Sequence, residues 1–243
     1  MPIIKLNAID STNAFLKEMI STKSVEDFTV VTTDYQTKGR GQMGTNWLSE
    51  ASKNLMFSVF VDVSRCKLEY PFYISMVVAL ALKESLNAFL IPHLYIKWPN
   101  DILSRNKKIC GILIENVMKQ GAVNASVVGV GLNVNQTDFK GLPNASSLKS
   151  ITGRVFNSDE LLESIISNLK LYFSKLENEN FMELKAVYES NLFRKNKPST
   201  FKDAKGNLFS GYIKAVEPSG LLQVLLEDNI TKSFDLKDIT LMY

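Results

Sequence analysis

The sequence predicts an α+β fold: a mixed β-sheet flanked by helices, followed by a small all-β unit. Three observations predict it. β-Branched and valine-rich runs interleave with segments of helical spacing over most of the chain. Composition then shifts at Arg194-Lys195-Asn196-Lys197-Pro198, which reads as a linker. Beyond it, short strand-like runs are broken by the turns Lys205-Gly206-Asn207, Glu217-Pro218-Ser219-Gly220 and Glu227-Asp228-Asn229, the pattern of a small barrel. The expected division is therefore residues 1–195 and 196–243.

The elements follow in order. Asp10 or Ser11 caps a helix through about Ile20, with Phe15, Leu16, Met19 and Ile20 on one side. Phe28 to Thr33 and Leu55 to Val63 read as strands, and Asp34 to Asn46, polar and glycine-rich, as a mobile loop between them. Pro71 to Phe89 is a helix with proline at its start. Leu94 to Lys97, Ile102 to Leu103 and Ile109 to Glu115 are short strands, the last two joined by a turn at Ser104 to Lys107, and Val123 to Val134 is a buried one. A second loop spans Asn135 to Ser150. Two amphipathic helices follow, Ser158 to Leu176 and Asn180 to Leu192.

Composition excludes several function classes. With 28 basic and 25 acidic residues, the charge is too even to point to nucleic acid. Two cysteines, Cys66 and Cys110, make no disulfide framework, and with the single histidine, His93, they cannot supply a zinc site. Cys110 lies in an apolar run and reads as a small core residue. No nucleophile-elbow pattern accompanies His93. The apolar stretch Phe72 to Phe89 is interrupted by Lys83, Glu84 and Asn87, so it reads as a buried helix rather than a membrane span. No signal peptide is read at Met1 to Leu6, and the expected compartment is the cytoplasm.

Four clusters carry chemistry. Gly39-Arg40-Gly41-Gln42-Met43-Gly44 matches the dinucleotide fingerprint, but no helical pattern opens at its third glycine, so a Rossmann site is rejected. Its backbone N–H groups and Arg40 suit either an anion-cradling loop or a plain flexible surface loop. In Lys97-Trp98-Pro99-Asn100-Asp101, the adjacent amide and carboxylate suit Mg²⁺ arriving with phosphates, or else form an Asx turn. Lys108 precedes Ile109-Cys110-Gly111-Ile112-Leu113-Ile114-Glu115, where a lysine opening a buried strand presents a compact cation and Gly111 allows close approach. Gly129-Val130-Gly131-Leu132-Asn133 clears space beside an amide. There is no Walker A pattern, so any use of ATP is without a P-loop.

Taken together, Ser11-Thr12-Asn13, Tyr35-Gln36 leading into GRGQMGTNW, KWPNDI, KICGILIE, GVGLNVNQ and Ala145-Ser146-Ser147-Leu148 resemble the biotin protein ligases. Each piece is weak singly; their order and spacing are specific. The resemblance covers roughly Asp10 to Ser147. It implies a sheet related to the class II synthetase fold and an SH3-like C-terminal domain. It also implies an ATP-dependent, AMP-forming ligase that makes biotinyl-5'-AMP and passes biotin to a lysine of a biotin carboxyl carrier protein.

The resemblance further implies residue roles. Ser11, Thr12, Asn13 and Gln36 would bind the biotin ureido ring, with Gly41, Gln42 and Gly111 nearby. Arg40 and Lys108 would serve both biotin and catalysis. Gly39, Arg40, Trp47, Asn100, Asn133, Ala145 and Ser146 would form the nucleotide side. Asp101 would take Mg²⁺ and assist deprotonation of the carrier lysine.

The loop departs from the arginine-rich pattern of well-known members, with Gln42, Met43 and Thr45 at three such positions. Ten residues precede Ser11, too few for the winged helix-turn-helix of bifunctional members, so a monofunctional ligase without specific DNA binding is expected. A homodimer is compatible with this reading. The competing readings are a lipoate or octanoate ligase of the same fold, and a non-catalytic biotin or nucleotide sensor.

Overall fold

The computed structural model describes residues 2–243. Its first layer is a seven-stranded mixed sheet. The strands are β1 (Ile3–Ile9), β2 (Val30–Gln36), β3 (Leu55–Asp62), β4 (Leu94–Lys97), β5 (Asp101–Ser104), β6 (Lys107–Lys119) and β7 (Ala122–Leu132), in the order β1-β2-β3-β7-β6-β5-β4. Only β1 and β2 run parallel; every other pairing is antiparallel.

Alternation along the central strands builds a separate core on each face. Val31 and Val127 point to one face, where Leu16 of helix α1 (Thr12–Thr22) packs on them. Val30, Phe57, Val59, Val128 and Val130 point to the other, against helix α2 (Phe72–Ala88). α2 is apolar nearly all round because it is covered on both sides, by the sheet and by helices α4 (Ser158–Glu177) and α5 (Phe181–Ser190). Its Ser85 hydroxyl donates to the Ala81 carbonyl, so this fully buried hydroxyl is satisfied within the helix.

The tail is a five-stranded antiparallel sheet of β8 (Pro198–Asp203), β9 (Leu208–Val216), β10 (Leu222–Leu226), β11 (Thr231–Phe234) and β12 (Ile239–Met242), in the order β11-β10-β9-β8-β12. Its interior residues Phe201, Ile213, Val216, Leu222, Val224 and Ile239 join the main core. The Glu189 carboxylate of α5 pins it, accepting the Val216 backbone N–H at 2.9 Å and pairing with Lys185 and Lys195. Burial opposes ionisation of Glu189, but the Lys185 hydrogen bond, the Val216 N–H and both lysines hold its pKa below the usual carboxylate value.

Three sequence expectations are corrected. A strand, β1, occupies the segment read as a mere N-terminal lead; it is a half-exposed edge strand, so its apolar alternation is faint. A short helix, α3 (Leu148–Thr152), lies inside the second expected loop, capped by the Ser147 hydroxyl accepting the Ser150 N–H. The first loop begins later than expected, runs on to the start of β3 at Leu55, and is folded on itself. β2 runs on to Gln36, Gly41 N–H bonds Thr45 O at 2.7 Å, and Trp47 N–H bonds Gly39 O at 3.0 Å. Among the described residues no helix is long and apolar enough to cross a membrane.

Candidate active site

A cavity of about 310 Å³ opens over β6 and β7 near the middle of the sheet. Its roof is the folded loop carrying Arg40, Gly41, Gln42 and Trp47; one end is the start of α1, and the other is the β4–β5 turn with Lys108. The tail sheet adds an apolar wall that includes Phe201, Ile213 and Leu222.

The first end is polar and uncharged. Ser11 is the N-cap of α1, so Thr12 and Asn13 stand on its first turn and face β3. Gln36, the last residue of β2, accepts from the Thr12 backbone N–H at 2.9 Å and from its hydroxyl at 3.2 Å. Because Oε1 is taken by an obligatory donor, the Gln36 NH₂ group is the end left for a ligand. Ser11, Thr12 and Asn13 are all buried.

The second end is charged. Lys97 and Asp101 flank the β4–β5 turn as paired residues, and Lys108 begins the neighbouring strand. Lys108 Nζ lies 2.6 Å from Asp101 Oδ1, and Lys97 Nζ 3.5 Å from Oδ2. Among the described residues Asp101 is the only acidic side chain lining the cavity, against Lys97, Lys108 and Arg40. Each of its oxygens faces an ammonium group, which aims the lysines rather than leaving a free base. Tyr243 covers the outer side, its ring 5.4 Å from Lys97 Nζ and 5.3 Å from the Phe193 ring. Burial, with Asp101 adding, pushes the Tyr243 phenol up to about 12.

Trp47 lies between the two ends. A Cβ on Gly131 would stand 2.4 Å from Trp47 Cε2, and one on Gly111 2.9 Å from Cζ3. The indole therefore lies against bare backbone on β6 and β7, which any side chain at those positions would block. Lys108 Nζ sits 5.6 Å from the ring centroid. Trp47 Nε1 is buried without a hydrogen-bond partner, a donor that costs about 1–3 kcal/mol until an acceptor meets it.

Most of the expected site residues therefore meet in one cavity: Ser11, Thr12, Asn13, Gln36, Arg40, Gly41, Gln42, Trp47, Asn100, Asp101, Lys108 and Gly111 all line it. Asn100 also anchors the turn, its Nδ2 donating to the Ile112 carbonyl at 2.8 Å. Gly39, Asn133, Ala145 and Ser146 do not line the cavity and stand behind it. Asn133 Nδ2 donates to Ser146 O at 3.0 Å, Ser146 N–H to Lys108 O at 2.9 Å, and Lys108 N–H to Asn144 O at 2.7 Å. This clamp fixes the backbone from which Lys108 projects. Cys110 is fully buried and its thiol is pushed up by that burial, so it is a core residue.

Sequence reasoning missed Ser58, Glu115 and the function of Lys97. Ser58 left no signal, being one small polar residue in an apolar strand. Glu115 left one, as a carboxylate closing the run Ile109 to Ile114.

The profile of the biotin/lipoate A/B protein ligase family matches residues 6–133, more than half of the chain and most of this cavity. The chain belongs to the biotin/lipoate A/B protein ligase family. Among relatives of this family, the bifunctional ligase/repressor BirA of Bacillus spizizenii is 25% identical over 238 residues, covering 96% of this chain and 72% of that protein. The biotin–[acetyl-CoA-carboxylase] ligase of Mycobacterium tuberculosis is 31% identical over 173 residues, 70% of this chain and 63% of that one. In three dimensions the chain is similar to the biotin protein ligase of Aquifex aeolicus in complex with biotin and ATP. That likeness has a TM-score of 0.83 and 27% identity, covering 99% of this chain and 98% of the other. It spans the tail sheet as well, which the family profile does not reach.

Proposed function

We propose that this chain is a biotin protein ligase, which activates biotin with ATP and transfers it to a lysine of a carrier protein. One observation carries the reading: a single cavity joins a neutral hydrogen-bonding end to an end with two lysines against one carboxylate, under a roof that carries Arg40. The neutral end suits a ureido group, whose carbonyl accepts and whose N–H groups donate. The charged end suits a carboxylate brought up to a polyphosphate. The relatives named for biotin and the neighbour that holds biotin and ATP support the same choice.

The chemistry needs no protein nucleophile. A biotin carboxylate oxygen attacks the α-phosphorus of ATP, the bond to the β-phosphate oxygen breaks, and pyrophosphate leaves. The mixed anhydride then has AMP as its leaving group. A neutral carrier lysine attacks the acyl carbon, an amide forms, and AMP and one proton are released. Two anions must meet in the first step, so fixed positive charge is the main requirement. Lys108, held by Asp101, lies beside Trp47 between the two ends, and Arg40 lines the cavity from the loop. Asp101 acts here by aiming Lys108 rather than as the base on the carrier lysine. The folded loop and Trp47 would shield the anhydride from water.

Mg²⁺ belongs to the nucleotide substrate in this reading. No group of three His, Cys, Asp or Glu side chains that could hold a metal occurs among the described residues, and both Asp101 oxygens already face lysines. This donor set does not fit a resident ion. We place the domain boundary at 195/196, with the small domain supplying the apolar wall.

The test is exchange of labelled pyrophosphate into ATP, followed by label transfer to a biotin carboxyl carrier domain. Exchange that depends on biotin is expected. Exchange with lipoate or octanoate but not biotin would replace the substrate, and saturable biotin binding without exchange would make the protein a sensor.

A further inference from the structure

We propose that Glu115 is a positioning residue for biotin: it fixes which way the Asn13 amide points and, through Ser58, the hydrogen-bond polarity of Thr12. The inference rests on the biotin ligase reading above. The Asn13 side chain is 3% exposed and makes contacts at both ends of its amide. Its Nδ2 donates to Glu115 Oε2 at 2.9 Å and to the Leu113 carbonyl at 3.2 Å. Both are pure acceptors, so the NH₂ end is assigned and Oδ1 must face the other way. There Ser58 Oγ lies 2.5 Å from Asn13 Oδ1 and 2.7 Å from Thr12 Oγ1.

Ser58 has one proton for those two contacts. Asn13 Oδ1 cannot donate, so the Ser58 proton goes to it. The Thr12 hydroxyl must then donate in turn, to Ser58 Oγ or to Gln36 Oε1. Thr12 Oγ1 is left with a lone pair for the cavity and acts as an acceptor for a ligand N–H. A carboxylate on β6, beyond the pocket lining, thus sets the polarity of a group in the pocket, along a chain in which each bond fixes the next.

Two further features fit this role. A Cβ at Gly129 would lie 2.2 Å from Asn13 Oδ1 and 3.0 Å from Nδ2, so the glycine makes room for the amide against β7. Lys17 pairs with the other Glu115 oxygen at 2.7 Å, but that pair is on the surface, with Lys17 half exposed. It neutralises Glu115 without touching Asn13.

The experiment measures the KM for biotin and for ATP separately in pyrophosphate exchange, with melting temperature recorded for each variant. Glu115→Ala is expected to raise the biotin KM at least about tenfold and move the ATP KM less than about twofold. Glu115→Gln keeps an acceptor oxygen and recovers most of the loss, and Lys17→Met stays within about twofold of wild type. A biotin KM within twofold in Glu115→Ala, an equal rise in both KM values, or no recovery by Gln would overturn the proposal.

If Glu115→Ala does not fold, polarity reversal decides. Asn13→Asp places a carboxylate against Glu115 and should lose biotin affinity, and Asn13→Asp/Glu115→Gln restores a donor facing an acceptor. The double variant must bind biotin better than Asn13→Asp alone, and a double variant no better would refute the polarity argument. Absence of exchange in the wild-type protein would fail the ligase reading instead, and is distinguishable from all of these.

Discussion

Replacing Lys108 with alanine separates the chemistry from the fold, because the structure provides a substitute partner for the charge left behind. Asp101 is only 7% exposed, and a carboxylate that buried would cost about 3–5 kcal/mol if it lost every partner. In Lys108→Ala it keeps Lys97, 3.5 Å from Oδ2. The stability cost should then be nearer 1 kcal/mol, the scale of one partly exposed ion pair. For a chain of 243 residues that is a fall of about 2–4 °C in Tm.

The catalytic cost is set by a different quantity. One fixed donor or cation aimed at charge that builds up in the transition state contributes about 3 kcal/mol, roughly a hundredfold in rate. Lys108→Ala should therefore lose at least about a hundredfold in kcat/KM for biotin-dependent pyrophosphate exchange while melting close to wild type. Lys97→Met/Lys108→Met removes both partners and should melt far lower than either single variant. Retention of more than about a tenth of kcat/KM in Lys108→Ala, a loss under roughly 1.4 kcal/mol, would refute the assigned role. So would a collapse in Tm as large as that of the double variant, since the lost activity would then follow from the fold.

Four more outcomes are expected. Gly131→Ala drives a Cβ to 2.4 Å from the Trp47 indole, so the ring must leave the strand face; a changed Trp47 emission in a Trp98→Phe background and a raised biotin KM check this. Gln42→Arg adds a cation to the cavity roof and should reduce biotinylation of an irrelevant bystander protein at equal adenylation rate. Tyr243→Ala uncovers Lys97 and should raise the ATP KM about three- to tenfold, whereas Tyr243→Phe keeps the ring and should not. For Glu115, burial works against ionisation, but its bonds from Lys17 and Asn13 hold its pKa below the ordinary value of 4.5. A depressed carboxylate contributes stability above that ordinary value and loses it as pH falls through the folded value. Glu115→Gln should accordingly flatten the acid limb of the Tm profile below pH 4.5 and change little at neutral pH.

The elements legible in the sequence were those whose periodicity is strong. α2 is apolar over almost its whole length, and α4 carries Leu161, Leu162, Ile165, Leu169 and Phe173 at helical spacing. β1 was not legible because an edge strand buries only one side, and Lys5 and Asn7 interrupt its apolar residues. The short α3 was hidden because a single capped turn has no periodicity to display; only the Ser147 cap and Gly153, at φ 76°, mark its ends. The path of the glycine-rich loop was not legible, because glycine leaves many backbone conformations open. Here its backbone is tied by the Gly41–Thr45 and Trp47–Gly39 hydrogen bonds, which depend on where the chain returns rather than on composition.

The site was legible for the opposite reason. The groups that line the cavity fall largely in dense local clusters, Ser11 to Asn13, Arg40 to Trp47 and Lys97 to Asp101, because each cluster sits where one element meets the next around that cavity. Local clustering cannot reveal which clusters face each other. Asn13 and Glu115 lie 102 positions apart, yet they are joined by one hydrogen bond because α1 packs on β2, β3 and β7, and its first turn reaches the neighbouring β6. The same packing explains why Gly129 must be glycine: it lies in the middle of β7, where the Asn13 amide of a helix from the other end of the chain needs its space. Recognition at the neutral end thus depends on a strand pairing set by the whole sheet. A change that shifts β6 against β7 by two residues would preserve the fold's alternation and still remove Glu115 from Asn13. Specificity for the ligand is therefore more sensitive to register than stability is.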